Sequence, residues 1–231
     1  MTLFKRAGSS SVFTESPLSR VMANFCESKV ALVSLAVLVV LLLLAIFAPW
    51  VTPQNPYDLA QLNVLDARLA PGGESFDGSR RFWLGTDGQG RDVYSAMVYG
   101  LRTSLFAGFA ATLIAVCLGA PLGLLAAYYG GWLETAIMRL VDLQLSFPPI
   151  LIALVLVFAF GSGLDKVIIA LVAVQWAYHA RTIRSAAVVE RRREYVEAAR
   201  CLALSDLRTV FSHLLPNSLP PVIVVATINV A

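Results

Sequence analysis

The feature that most limits what this chain can fold into is a series of long runs without a single charge. Val30 to Ala48 is a run of 19 uncharged residues dense in Leu and Val. As a helix it crosses about 30 Å of hydrocarbon at roughly 1.5 Å per residue. Further uncharged runs cover Ser104 to Tyr129 and Leu143 to Leu164, and a shorter one covers Val167 to Ala180. A last apolar stretch follows Pro216 and is still apolar at Ala231. Hydrocarbon offers no partner for backbone N–H and C=O groups, so runs of this kind fold as helices. The predicted fold is all-α, a polytopic membrane bundle. Composition agrees, with 58% hydrophobic and 14% charged residues among 231, where soluble domains carry about a quarter charged. That excludes a disordered chain, a disulfide scaffold and a coiled coil.

The first run is too long for the core of a cleaved signal peptide, and Pro49-Trp50 is a poor cleavage site, so it reads as a retained helix. The third run extends before Leu143, with Arg139 and Asp142 near the interface. The fourth reaches full length by borrowing Gly163 and Leu164 and by letting Arg181 snorkel. Fifteen residues after Pro216, with Pro220 and Pro221 among them, are short for a span. The chain is therefore expected to stop inside a fifth helix, and on that expectation this length alone does not transport. Lys5, Arg6, Arg20 and Lys29 precede the first span, and Arg181, Arg184, Arg191, Arg192, Arg193, Arg200 and Arg208 lie between the fourth and fifth. The positive-inside rule puts both groups in the cytoplasm. The expected division is a cytoplasmic N-terminal segment 1–29, a first transmembrane helix 30–48, an outer loop 49–103, and a transmembrane domain 104–231 with a cytoplasmic loop 181–217.

Within the second span Ala107, Ala111, Ala115, Gly119, Gly123 and Ala127 recur every fourth residue, a small-residue face that lets another helix approach closely. Pro121, Pro148 and Pro149 are expected to kink or loosen their helices. No charge sits mid-span, which argues against a proton- or sodium-driven carrier. No phosphate-binding glycine loop of the ATPase type occurs, so the chain is not expected to bind ATP by that route. Cys26, Cys117 and Cys201 are far apart and read as small packing residues. His179 and His213 have no acidic or thiol company, so no metal site is expected.

Two loops carry the remaining information. The outer one contains Phe82-Trp83-Leu84-Gly85-Thr86-Asp87-Gly88-Gln89-Gly90-Arg91-Asp92. Its glycines permit tight turns, and Thr86 or Asp87 can cap a following helix. The inner one, Glu194 to Asn217, reads as helix, turn, helix. Ser205 can cap the second helix, Asp206 favours its first turn, and Leu207, Val210, Phe211, Leu214 and Leu215 form one apolar stripe that Pro216 ends. On these grounds alone the stripe suits a lipid surface and a partner's groove equally.

At these residues the chain resembles a known family. Glu197-Ala198-Ala199, then position 203, then Leu215-Pro216, have the spacing of the EAA loop of ABC importer permeases. Ala203 stands where that pattern has Gly, and His213 where it has an apolar residue. Leu84-Gly85-Thr86-Asp87, Gly90-Arg91-Asp92, Ser95, Gly100, Arg102 and Ser104-Leu105 resemble the outer segment of C-type permeases of dipeptide and oligopeptide importers, with Ala96 where that group often has Arg. The resemblance implies a subunit without catalysis of its own in a bacterial plasma membrane, its N-terminus cytoplasmic. It implies a sister permease, two cytoplasmic ATPases that bind the ATP, an external solute-binding protein and surrounding lipid as partners, and no nucleic acid. Ala199 to about Pro216 would hold the coupling helix, small residues 198, 199 and 203 would permit close seating, and Glu197 would pair with a basic group. Peptides are the implied cargo, with nickel, glutathione or another small solute as the alternative. Two other classes compete: an intramembrane serine hydrolase using Ser162 and His179, and a passive channel or scaffold.

Overall fold

A computed structural model describes residues 25–230, so expectations for Lys5, Arg6, Arg20 and most of segment 1–29 fall outside the described residues. The regular structure of the described residues is helical, apart from two isolated antiparallel bridges, Glu74 with Arg81 and Thr86 with Asp92. The helices are α1 (Lys29–Ile46), α2 (Ala48–Val51), α3 (Val93–Tyr129), α4 (Gly131–Ser146), α5 (Pro149–Phe160), α6 (Leu164–Glu190), α7 (Glu194–Cys201) and α8 (Asp206–Val230). Three of them, α1, α3 and α8, are long and apolar enough to cross a membrane, and a fourth span results if α4 and α5 count as one. The chain divides between Tyr99 and Gly100, inside α3, into two units.

In the first unit, α1 starts where Ser28 accepts the Ala31 amide at 3.3 Å. It is apolar on all sides and nearly all its side chains are exposed, as a helix in lipid requires. The outer loop after α2 is held by polar side chains rather than by regular structure. Short helical turns at Leu59–Gln61 and Val64–Asp66 are capped by Asp58 and Asn63. Phe82 is its one large fully buried apolar anchor.

The second unit is built on close contact between α3 and α6. Its main cluster joins Ala120, Leu124, Ala127 and Tyr128 of α3 to Ile183 and Ala187 of α6 and to Val210, Leu214 and Val222 of α8. Ala111, Ala115, Gly119 and Gly123 are all buried on the inward face of α3. A Cβ on Gly119 would stand 2.4 Å from the Trp176 carbonyl oxygen, and one on Gly123 2.2 Å from that of Ala180. Between lipid-embedded helices there is little hydrophobic gain, so it is this close van der Waals approach that holds them together.

Some expectations hold here and others fail, for identifiable reasons. The second helix begins at Val93, eleven residues before the uncharged run, because Asp92 caps it. The kink expected at Pro148 and Pro149 is present: α4 and α5 meet at 86° around Phe147-Pro148, where Pro149 opens a new helix at its first position. Pro121 lies inside the continuous α3. Pro216 does not end the inner helix either; α8 continues through it after a π turn, Thr209–Leu214. The fourth run belongs to the 27-residue α6. Arg181 there does not snorkel but pairs with Asp142 of α4, beside a second pair, Arg184 with Glu134. All three cysteines are exposed rather than packed.

Candidate functional site

The inner loop forms a sharp elbow. Val196 and Ala199 face inward from α7, at 0% and 4% exposure. Glu197 and Ala198 lie on its outer side. The helix stops because the chain turns left-handed at Ala203, with φ +53°. Around that turn the Leu204 amide donates to the Ala199 carbonyl at 3.1 Å and the Leu202 amide to Ala198 at 3.0 Å. The first of these closes the six-to-one ring of a Schellman cap, whose left-handed position normally holds glycine. Ser205 occupies the N-cap of α8, yet its side chain accepts no capping bond. Asp206 in the first turn instead accepts the Tyr128 hydroxyl at 2.6 Å. Leu202, Ala203, Ser205 and Leu207 are exposed, and so is Pro216, whereas Val210 and Leu214 are buried and Leu215 is half-buried. Only part of the expected stripe therefore faces the bundle, and Leu202 and Leu207 project apolar surface outward. Arg193 makes its ion pair with Glu190, at 3.3 Å, and not with Glu197.

A methyl group at φ +53° costs roughly 1–2 kcal/mol. Ala203→Gly is therefore expected to stabilise the chain by about 1 kcal/mol after the entropy of glycine is subtracted. That shifts a thermal midpoint upward by about 2–4 °C, measurable on protein purified in detergent.

The outer motif is a compact knot. The Thr86 hydroxyl donates to the Asp66 carbonyl and accepts the Leu69 amide at 2.9 Å. Asp87 accepts the Gln89 and Arg91 amides at 2.8 and 3.0 Å and Arg91 Nε at 2.9 Å. Partial burial pushes the Asp87 carboxyl up, but those bonds from Arg91 and Gln89 outweigh it and hold it below its ordinary value. Gly85 and Gly90 both have φ +76°, and a Cβ on Gly90 would stand 2.2 Å from the Asn63 carbonyl oxygen. The helix cap is Asp92, not Thr86 or Asp87. Fully buried, its Oδ2 accepts the Ser95 amide at 2.8 Å and the Ser95 hydroxyl. Gly100 and the exposed Arg102 follow on α3, and nothing stands within 4 Å of a Cβ on Gly100.

Three residues escaped sequence reasoning. Gln54 is buried, takes the Asp92 amide on Oε1 at 2.8 Å and donates to the Gln61 carbonyl at 2.7 Å. Tyr128 and Arg191 hold the inner end of α3. A lone Gln in a proline-rich exit and a Tyr at a helix end carry no pattern that marks them.

Ser162 is exposed in the loop before α6, whereas His179 is buried fifteen residues along that helix, about 22 Å away. Its Nε2 lies 3.4 Å from Asn229 Nδ2. These two cannot form a nucleophile and base pair. No group of three metal-ligating side chains occurs among the described residues.

The described residues form a helical bundle with three helices long and apolar enough to cross a membrane and an exposed elbow at Ala203. The comparisons give the family. Residues 119–231 match the model of the binding-protein-dependent transport system inner membrane component, and residues 16–71 that of the N-terminal transmembrane domain of oligopeptide transport permease C. The dipeptide transport system permease protein DppC of Alkalihalophilus pseudofirmus is 37% identical over 93% of this chain and 67% of that one. DppC of Escherichia coli is 39% identical over 92% and 70%. The glutathione transport system permease protein GsiD of Pectobacterium atrosepticum is 38% identical over 81% and 60%. A chain of the MetNI methionine ABC transporter matches with a TM-score of 0.52 and 24% identity, covering 58% of this chain and 68% of that one, a likeness of fold alone. The chain belongs to the C-type permeases of the dipeptide and oligopeptide ABC importers. It is a multi-pass membrane protein of a family that works with ATPase and binding-protein partners, and transport permeases are not a class of enzymes.

Proposed function

We propose that this chain forms half of the translocation pathway of an ATP-driven importer of di- or oligopeptides, beside a sister permease. Two cytoplasmic ATPases would drive it, a solute-binding protein would deliver the cargo outside, and the N-terminus would lie in the cytoplasm of a bacterial cell. The observation that carries the coupling role is the elbow. Its inner side is buried by Val196 and Ala199, while Glu197, Ala198, Leu202, Ala203 and Leu207 are left uncovered on its outer side. Exposed leucines on a short basic loop suit the groove of a protein partner. The relatives named for dipeptide transport support peptide cargo. The glutathione relative supports a second reading, in which the same machinery takes that peptide-like thiol.

The test is uptake by the complete transporter in proteoliposomes. Glu197→Arg combined with Ala203→Arg places two cations on the docking side, and Arg at a left-handed position adds strain. Uptake is expected to fall at least about tenfold, equivalent to roughly 1.4 kcal/mol of lost coupling, while the ATPases still hydrolyse ATP. Uptake equal to wild type would remove the elbow from the coupling role. Competition between a labelled dipeptide and glutathione decides the cargo.

A further inference from the structure

The inner end of α3 is gripped from two sides. Arg191, at the C-cap of α6, donates Nη1 to the Ala127 carbonyl at 2.7 Å. Tyr128, 7% exposed and packed with Ile183, Ala187, Val210 and Leu214, donates its hydroxyl to Asp206 at 2.6 Å. Asp206 lies three residues beyond the left-handed Ala203, so this bond joins the elbow directly to α3. Along its own axis α8 is poorly built to carry a push. Its first turns run into the π turn Thr209–Leu214. Pro216, Pro220 and Pro221 then lack N–H groups, so the carbonyls of Ser212, Pro216 and Asn217 cannot receive the usual α-helical bond. Thr209 Oγ1 and Ser218 Oγ are buried there without a hydrogen-bond partner, so apolar packing of Val210, Leu214 and Val222, not polar ties, holds the joint. By contrast α3 is seated on α6 through backbone contact at Gly119 and Gly123.

From this geometry we infer that Tyr128 is a positioning residue for coupling: its bond to Asp206 passes movement of the elbow sideways into α3 and thence to α6, while the π turn and prolines absorb it along α8. The inference rests on the coupling role proposed above. A hydrogen bond from the buried Tyr128 hydroxyl to a charged group matters even though Asp206 itself is exposed, because loss of such a bond costs about tenfold in an equilibrium.

The experiment uses the complete transporter with its ATPases and binding protein in proteoliposomes, and reads labelled dipeptide imported per ATP hydrolysed. Tyr128→Phe keeps the buried ring and removes only the hydroxyl; the ratio is expected to drop about tenfold with ATP hydrolysis continuing. Asp206→Asn keeps an acceptor oxygen and should retain most of the coupling. Asp206→Ala should match Tyr128→Phe, and the double variant should be no worse than either. A Tyr128→Phe ratio within about twofold of wild type overturns the inference. So does a double variant whose losses multiply, or a Tyr128→Phe chain that no longer assembles with the ATPases, which would make the contact merely structural. If the wild-type complex imports no peptide, the cargo reading fails instead. The same variants are then read by the stimulation of ATP hydrolysis by loaded binding protein: lost stimulation in Tyr128→Phe supports the contact, and full stimulation overturns it.

Discussion

Replacing Gly123 by Val is expected to prevent α3 and α6 from closing, with little folded protein recovered in detergent. The added Cβ would meet the Ala180 carbonyl oxygen at 2.2 Å and Ile183 Cγ2 at 2.4 Å. The second contact can be relieved by a rotamer change, but the first is backbone, so the helices must separate. Overpacking a core usually costs about 1–3 kcal/mol, and a backbone collision in the centre of the main cluster lies at or above the top of that range. Separation also removes the neighbours of Leu124 and Ile183, both at or below 1% exposure. Gly100→Ala is the matched comparison on the same helix. With nothing within 4 Å of its Cβ, it should be neutral or stabilise α3 by about 0.5–1 kcal/mol. Monodispersity on size exclusion and the thermal midpoint in detergent measure both. A Gly123→Val protein that melts like wild type would mean that the two helices are not held by backbone approach.

The small-residue face was legible because membrane packing rewards one simple pattern, a small side chain every four residues. The spans were legible for a similar reason: absence of charge over a helix length. What sequence periodicity could not give is where helices break or join. Pro148-Pro149 and Pro220-Pro221 are the same dipeptide, yet the first pair turns the chain by 86° and the second lies inside one continuous helix. The difference lies in what packs on either side. Val210, Leu214 and Val222 bury against α3 and α6 and keep α8 continuous, whereas α5 has no buried residue to hold it in line with α4. The ion pairs of α4 with α6 were illegible for another reason. Asp142 and Arg181 are 39 residues apart, and only the fold shows that two charges assigned separately to an interface satisfy each other.

The elbow was half legible. Its spacing pointed to a turn at position 203, and the positive φ of Ala203 gives that turn its physical form. The Tyr128 bond to Asp206 had no signal, since Asp206 already had a sufficient local explanation as an acidic residue in a first helical turn.

Removing the Asp92 side chain should have the second large effect, because its buried carboxylate holds both the amide and the hydroxyl of Ser95 at the start of α3. As the N-cap of α3, Asp92→Ala loses the bond to the Ser95 amide, a loss that costs about 1 kcal/mol at an ordinary cap. Here the Ser95 hydroxyl is fully buried too and would lose its acceptor, and an orphaned buried donor costs a further 1–3 kcal/mol or so. A destabilisation of about 3 kcal/mol is expected, read as a lower thermal midpoint and faster proteolysis of the outer loop in the detergent-purified chain. Asp92→Asn separates the cap from the charge. It keeps an acceptor for Ser95, and it removes the negative charge from a carboxylate whose Oδ1 is buried without a hydrogen-bond partner, so most of the loss should be recovered. Gln54→Ala attacks the same knot from the other side by freeing the Asp92 amide. Because the two residues share one network, the double variant Gln54→Ala with Asp92→Ala should cost less than the sum of the singles. Strict additivity would show that the proline-rich exit from α2 and the start of α3 are held independently.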